Sequence, residues 1–143
     1  MRATRRGCAE AYATHRLAGH VSESIRILIA EDNALLRGVL RDALAEAGMT
    51  VVAEASDGSE AVALAEETTP DVVVMDMRMP NVDGIEATER IAQSLWAMPV
   101  VVLSAYDEPQ MIEAALTAGA TSCLKKGVGL DELIEAIRAA QRR

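Results

Sequence analysis

The chain has 143 residues, half of them apolar, enough for one domain with its own core and no need of disulfide or metal staples. Its formal net charge is -8 at pH 7, and an acidic chain is repelled by phosphate backbones, which argues against direct nucleic-acid binding. Aromatic residues amount to Tyr12, Trp96 and Tyr106 with no Phe, so Val, Leu, Ile, Ala and Met must fill the interior.

Residues 1–24 show no clean hydrophobic period. Four arginines stand there against two glutamates, so the stretch is basic and the acidity lies in the remainder. It reads as a disordered tail, with a short helix around Ala9–Leu17 as its candidate element, or as a mis-assigned start if Val21 is encoded by GTG. Arg5-Arg6 is followed by no apolar stretch, and no run approaches membrane-spanning length. Cys8 and Cys123 form no spacing motif. These features point to a cytoplasmic chain with free thiols and no membrane association.

The folded part runs over 25–141. Ile25–Ala30 is a first strand, ending in acids. Ala34–Ala47 places Leu36, Leu40, Ala43, Leu44 and Ala47 at helical spacing, and Gly48 suits the end of that helix. Val51–Ala55 is a second strand. Asp57-Gly58-Ser59 opens a helix that stops before Pro70. Asp71–Asp76 and Pro99–Ser104 contain the continuous apolar runs Val72-Val73-Val74-Met75 and Val100-Val101-Val102-Leu103. Between them a helix is predicted from about Gly84 to Leu95. Asp107 should cap the next helix, ending near Gly119. A short strand covers about Thr121–Lys125, and a last helix from Leu130 to about Gln141 should bury Leu130, Leu133, Ile134 and Ile137. Strands without polar alternation are covered on both faces, as a parallel sheet requires. Right-handed crossovers then give an α/β fold, a doubly wound five-stranded parallel sheet of flavodoxin-like order 2-1-3-4-5 with five helices.

Ligands bind such sheets beyond the carboxyl ends of the strands. There the sequence sets Glu31-Asp32 after the first strand, Asp76 at the end of the third, Ser104 at the end of the fourth and Lys125-Lys126 at the end of the fifth. Each alone has a plain reading: solvated strand-end acids, a helix cap, a turn serine, a surface lysine. Together, at the correct ends of ordered strands, they form a group of three carboxylates with a hydroxyl and an ammonium. Clustered carboxylates repel unless a cation sits among them, and few hard oxygen ligands suit Mg2+, which keeps company with phosphate. A carboxylate nucleophile beside a metal and an ammonium is suited to handle a phosphoryl group.

The segments IRILIAEDN, DVVVMDMRMPNVDGIEAT, VVVLSA and AGATSCLKKG carry a resemblance. Over 25–141 the chain resembles a response-regulator receiver domain of bacterial two-component systems, most of all the NarL/FixJ type that precedes a LuxR-like helix-turn-helix. The resemblance implies that Asp76 is the phosphoacceptor and that Asp32, supported by Glu31, binds Mg2+ together with Asp76 and the backbone carbonyl of Arg78. It implies that Ser104 is the switch hydroxyl and Lys126, rather than Lys125, the phosphate-pairing lysine. The expected partners are a sensor histidine kinase or small phosphodonor on the input side, and a homodimer or downstream regulator on the output side. The expected output surface lies around the fourth helix and fifth strand. Such a domain is not an enzyme acting on a separate substrate; it supports its own phosphotransfer and dephosphorylation.

Two departures stand out. The sequence stops at Gln141-Arg142-Arg143 without a linker or output domain, which suggests a stand-alone regulator, a phosphate sink or the remnant of a transcription factor. Cys123 stands where the family usually keeps a switch aromatic, and Tyr106 is a candidate to take over part of that role. Two other readings are disfavoured. An aspartyl phosphohydrolase needs an acid two residues past its nucleophile, where this chain has Arg78. A nucleotide- or flavin-binding domain needs a glycine-rich loop after the first strand, where Asn33-Ala34-Leu35-Leu36 stands.

Overall fold

The computed structural model describes residues 24–95, 97–105 and 109–142. Over these, five strands and five helices alternate: β1 (Arg26–Ala30), α1 (Ala34–Glu46), β2 (Thr50–Ala55), α2 (Gly58–Thr68), β3 (Val72–Asp76), α3 (Gly84–Ala92), β4 (Val100–Ser104), α4 (Pro109–Thr117), β5 (Ser122–Lys125) and α5 (Leu130–Gln141). All pairings are parallel, and the sheet order is β2-β1-β3-β4-β5, the doubly wound order expected from the sequence. The expected helix around Ala9–Leu17, the Asp107 cap, Tyr106 and Cys8 lie outside the described residues.

Successive residues of the central strands serve opposite faces, which is why their sequences are apolar throughout. On β3, Val72 and Val74 pack with Leu44 of α1 and Leu133 and Ile137 of α5. Val73 and Met75 pack instead with Ala61 and Ala65 of α2, Ala87 and Ile91 of α3 and Ala115 of α4. Burying each Val, Leu or Ile contributes about 1.5–3 kcal/mol, and every residue of β3 and β4 is buried. With no Phe available, the second face closes by bringing alanine-lined helices near the sheet and letting methionines fill the gaps.

Among the described residues, three helices begin on a side-chain cap. Asn33 accepts from the Leu36 N–H at 3.0 Å, Asp57 from Glu60 at 2.8 Å and Asp83 from Glu86 at 2.8 Å. Each such cap typically contributes about 1 kcal/mol. At the other end of α2, the Arg26 guanidinium donates to the carbonyls of Thr69 at 2.8 Å and Thr68 at 2.9 Å, satisfying acceptors the helix leaves open.

Two local expectations differ from the structure. α3 ends at Ala92 and not near Leu95. The Ser94 hydroxyl donates to the Ile91 carbonyl at 2.7 Å and its N–H to the same oxygen at 3.2 Å, which tightens the chain into a turn. Leu130, expected in the core, is 42% exposed. It is the first residue of α5, and the buried stripe begins at Leu133 and runs through Ile137 to Ala140.

Candidate functional site

The carboxyl ends of β1 and β3 are adjacent, so the topology brings the residues after them together. Glu31 is 1% exposed and Asp76 4%, while Asp32 lies at the surface. One carboxylate oxygen from each of the three lies within 4.8 Å of the others. Lys126, just past β5, reaches the two buried carboxylates. Its Nζ is 2.9 Å from Glu31 Oε1 and 3.0 Å from Asp76 Oδ1. Its main-chain N–H donates to the Ser104 carbonyl at 2.6 Å, extending the ladder one residue beyond the strand. Lys125 is the exposed last residue of β5. Ser104 is buried at the end of β4, one residue beyond Leu103, the register partner of Asp76.

Local contacts hold the cluster's main chain. The Met77 N–H donates to the Leu103 carbonyl at 3.1 Å, and the Gly84 N–H returns to the Met77 carbonyl at 2.9 Å. The chain from Asp76 to α3 is thereby folded back on itself. A Cβ on Gly84 would stand 2.0 Å from the Asp76 carbonyl oxygen, so only glycine lets α3 begin this close to the end of β3. The Arg78 N–H approaches Asp76 Oδ1 at 3.4 Å. The same loop is pinned to α2: Asn81 donates to Asp57 Oδ2 at 3.1 Å, and Gly58 leaves the space that the Val82 carbonyl fills. Around Glu31, the Asn33 N–H donates to Oε2 at 3.1 Å and Arg37 to the main-chain carbonyl at 2.6 Å.

The Glu31 carboxyl is held above its ordinary value, chiefly by burial, against the pull of the Lys126 ammonium and the Asn33 N–H. The hydrogen bond with Asp32 and the charge of Asp76 push the same way as burial. Burial pulls the Lys126 ammonium down, but its contacts with Glu31 and Asp76 outweigh this and hold it above the ordinary lysine value. Three acids facing one ammonium are short of positive charge. The donor set fits a small hard divalent cation: all oxygen, few ligands, and an exposed Asp32 that leaves the outer side open to water or phosphate.

The two lysines of the chain give a sharp comparison. Lys126→Ala is expected to weaken retention of the phosphate mimic beryllofluoride about 10- to 100-fold, the cost of one charge-assisted hydrogen bond. Lys125→Ala should change it less than about twofold, as for an exposed charge. Amide NMR titration in the presence of Mg2+ reads both, and the reverse ranking would move the contact to Lys125.

Cys123 pairs in register with Val102 and is half-buried against the α2–α4 face of the core. Burial pushes its thiol up, so it is protonated at neutral pH. Two contributors escaped the sequence reading. Gly84 appears in the sequence as a helix start, with no sign that a carbonyl lies against it. Arg37 carries no local signal at all, since its partners are fixed by tertiary structure.

Comparison with known proteins places these features in context. The family model for the response regulator receiver domain matches residues 27–138. The transcriptional regulatory protein PdtaR of Mycobacterium tuberculosis is 48% identical over 118 residues, 82% of this chain and 57% of that protein. The chain thus spans little more than half the length of the curated relatives it matches. Among solved structures, a LuxR-family two-component response regulator from Aurantimonas superposes with a TM-score of 0.79 at 36% identity, over 84% of this chain and 86% of that one. The response regulator domain of Thermotoga maritima CheB superposes with a TM-score of 0.77 at 35% identity, over 85% and 98%.

Proposed function

Because the chain belongs to the response regulator receiver domain family, a family of signalling domains phosphorylated by histidine kinases, we propose that it takes its phosphoryl group on Asp76. The observation that carries this reading is the buried Asp76 carboxylate with the Lys126 ammonium 3.0 Å away and the Glu31-Asp32 pair beside it. An Asp76 oxygen attacks phosphorus and forms an acyl phosphate, while the bond from phosphorus to the donor's leaving nitrogen or oxygen breaks. Lys126 then shifts its ammonium from the carboxylates toward a phosphoryl oxygen, and Ser104 supplies the hydroxyl that closes on another. Glu31, Asp32, Asp76 and the main-chain carbonyl of Arg78 would hold Mg2+, which supplies charge neutralisation at the transferred group. Water attacking the same phosphorus releases the group, so the domain supports both its own phosphotransfer and its own dephosphorylation.

The donor is a sensor histidine kinase or a small acyl phosphate, and the setting is the cytoplasm. Among the described residues no helix is long and apolar enough to cross a membrane. The output surface is α4 with β5, where Leu116 stands 47% exposed beside Ile112 and Glu113. That surface meets a second copy or a downstream regulator; the acidic chain does not itself bind nucleic acid. Cys123 offers little area to bury there, so less free energy separates the two states than a switch aromatic would provide.

Incubation with acetyl phosphate and Mg2+ is expected to add one phosphoryl group per chain by intact mass. Asp32→Ala should lower the initial rate at least about tenfold, as loss of a metal ligand does. An Asp32→Ala protein that is phosphorylated normally would reduce the acidic pair to solvated strand-end charges.

A further inference from the structure

Arg37 lies outside the carboxylate cluster, yet its Nη1 donates to the main-chain carbonyl of Glu31 at 2.6 Å. Its Nε is 3.4 Å from Glu54 Oε1 on β2, in a pair whose side chains are only 21% and 31% exposed. Arg41, one turn further along α1, reaches the other Glu54 oxygen at 3.5 Å. The peptide that joins Glu31 to Asp32 is therefore held by a guanidinium that a carboxylate on the neighbouring strand holds in turn. The rest of Glu31 is fixed as well: its N–H donates to the Ala55 carbonyl at 2.9 Å, and Oε2 accepts from Asn33. Asp32 is exposed and takes its direction from the peptides on either side of it.

We infer that Arg37, anchored by Glu54, is a positioning residue for the acidic pair: it sets the Glu31–Asp32 peptide so that the Asp32 carboxylate converges with those of Glu31 and Asp76. The inference rests on the reading that this pair takes Mg2+. Arginine suits the task because its fork can engage a carbonyl and a carboxylate at once, whereas a lysine ammonium is a point charge on a flexible stem. Partners one step removed from a metal commonly change its affinity about 10- to 100-fold when lost.

The alternative is that Arg37 merely staples α1 to β2, and the two roles separate in one experiment. In Arg37→Ala, the Mg2+ concentration that half-saturates the Asp32 and Asn33 amide shifts is expected to rise about tenfold. Those two amides should already be displaced in the metal-free protein. Arg37→Lys, able to reach the carbonyl or Glu54 but not both, should fall between it and the unaltered chain. Glu54→Gln, which loosens the anchor, should give a smaller rise of the same kind. A lowered melting temperature with unchanged metal-free amides and unchanged Mg2+ affinity overturns the inference. If Arg37→Ala does not fold, Arg37→Lys and Glu54→Gln carry the same comparison. Asp32→Ala separates the premise from the inference. Should it leave Mg2+ affinity intact, both fail; should it abolish binding while the Arg37 and Glu54 variants bind normally, the inference alone fails.

Discussion

Asp76→Asn is expected to take up no phosphoryl group from acetyl phosphate and Mg2+, a loss of more than about a thousandfold, as for removal of a nucleophile. The substitution keeps the shape of the side chain and removes its negative charge, so the oxygen left in place is an amide oxygen and a poor nucleophile. The fold should survive. Lys126 keeps its contact with Glu31 at 2.9 Å, and the charge of Asp76, one of the influences raising the Glu31 carboxyl, is gone. Melting temperature should therefore hold or rise while phosphorylation disappears, which separates lost chemistry from lost structure. Intact mass and thermal denaturation of the same sample supply both readings. A phosphorylated Asp76→Asn protein, with the label on Ser or Thr, would move the acceptor elsewhere.

Gly84→Ala should be among the most damaging methyl additions at the described glycines. The added carbon would stand 2.0 Å from the Asp76 carbonyl oxygen and 2.8 Å from Met77 Cα, both main-chain atoms that cannot rotate away. Relief requires α3 to lift from the end of β3, at about 3 kcal/mol for overpacking against rigid neighbours. For a domain of this size that lowers the melting temperature by roughly 10 °C. Because the displaced carbonyl belongs to Asp76, the proposed acceptor, phosphorylation should slow as well. Gly38→Ala makes the same chemical change with the opposite sign. Its new carbon would meet nothing nearer than the flexible Arg41 guanidinium at 3.4 Å, and alanine within α1 stabilises by about 0.5–1 kcal/mol. Thermal melts of the two variants side by side check the geometry, and equal shifts would contradict it.

Why the fold was readable follows from how its signals arise. Val72–Met75 and Val100–Leu103 announce strands covered on both faces without help from any neighbour. Asp57 marks a helix start through a bond that spans three residues. The positions of Glu31, Asp76, Ser104 and Lys126 were readable because strand order alone decides which strand ends are neighbours. What stayed hidden depends on atoms distant in sequence or on competition at one residue. Leu95 sits four residues past Ile91 and keeps the helical period, yet the Ser94 hydroxyl takes the Ile91 carbonyl and closes the turn. Glu31 and Asp32 read as an equivalent pair, but strand geometry buries one and exposes the other. The hold of Arg37 on Glu31 exists only once α1 lies across β2.

The pinning of the loop after Asp76 makes the surroundings of the proposed acceptor mechanically lopsided. Toward β2, the Val82 carbonyl is seated on Gly58, Asn81 is tied to Asp57, and Arg37 bolts α1 to Glu54. Toward β5, the acceptor faces a four-residue edge strand whose residues are half-buried or exposed. A force generated at Asp76 would thus meet more side-chain and main-chain ties on the β2 side than the short β5 edge offers on the other. On the proposed reading, strain from phosphorylation is expected to follow the softer path, through Ser104 and Lys126 into β5 and the helix before it. The direction of such a response would then be set by where the scaffold yields, before any partner selects it.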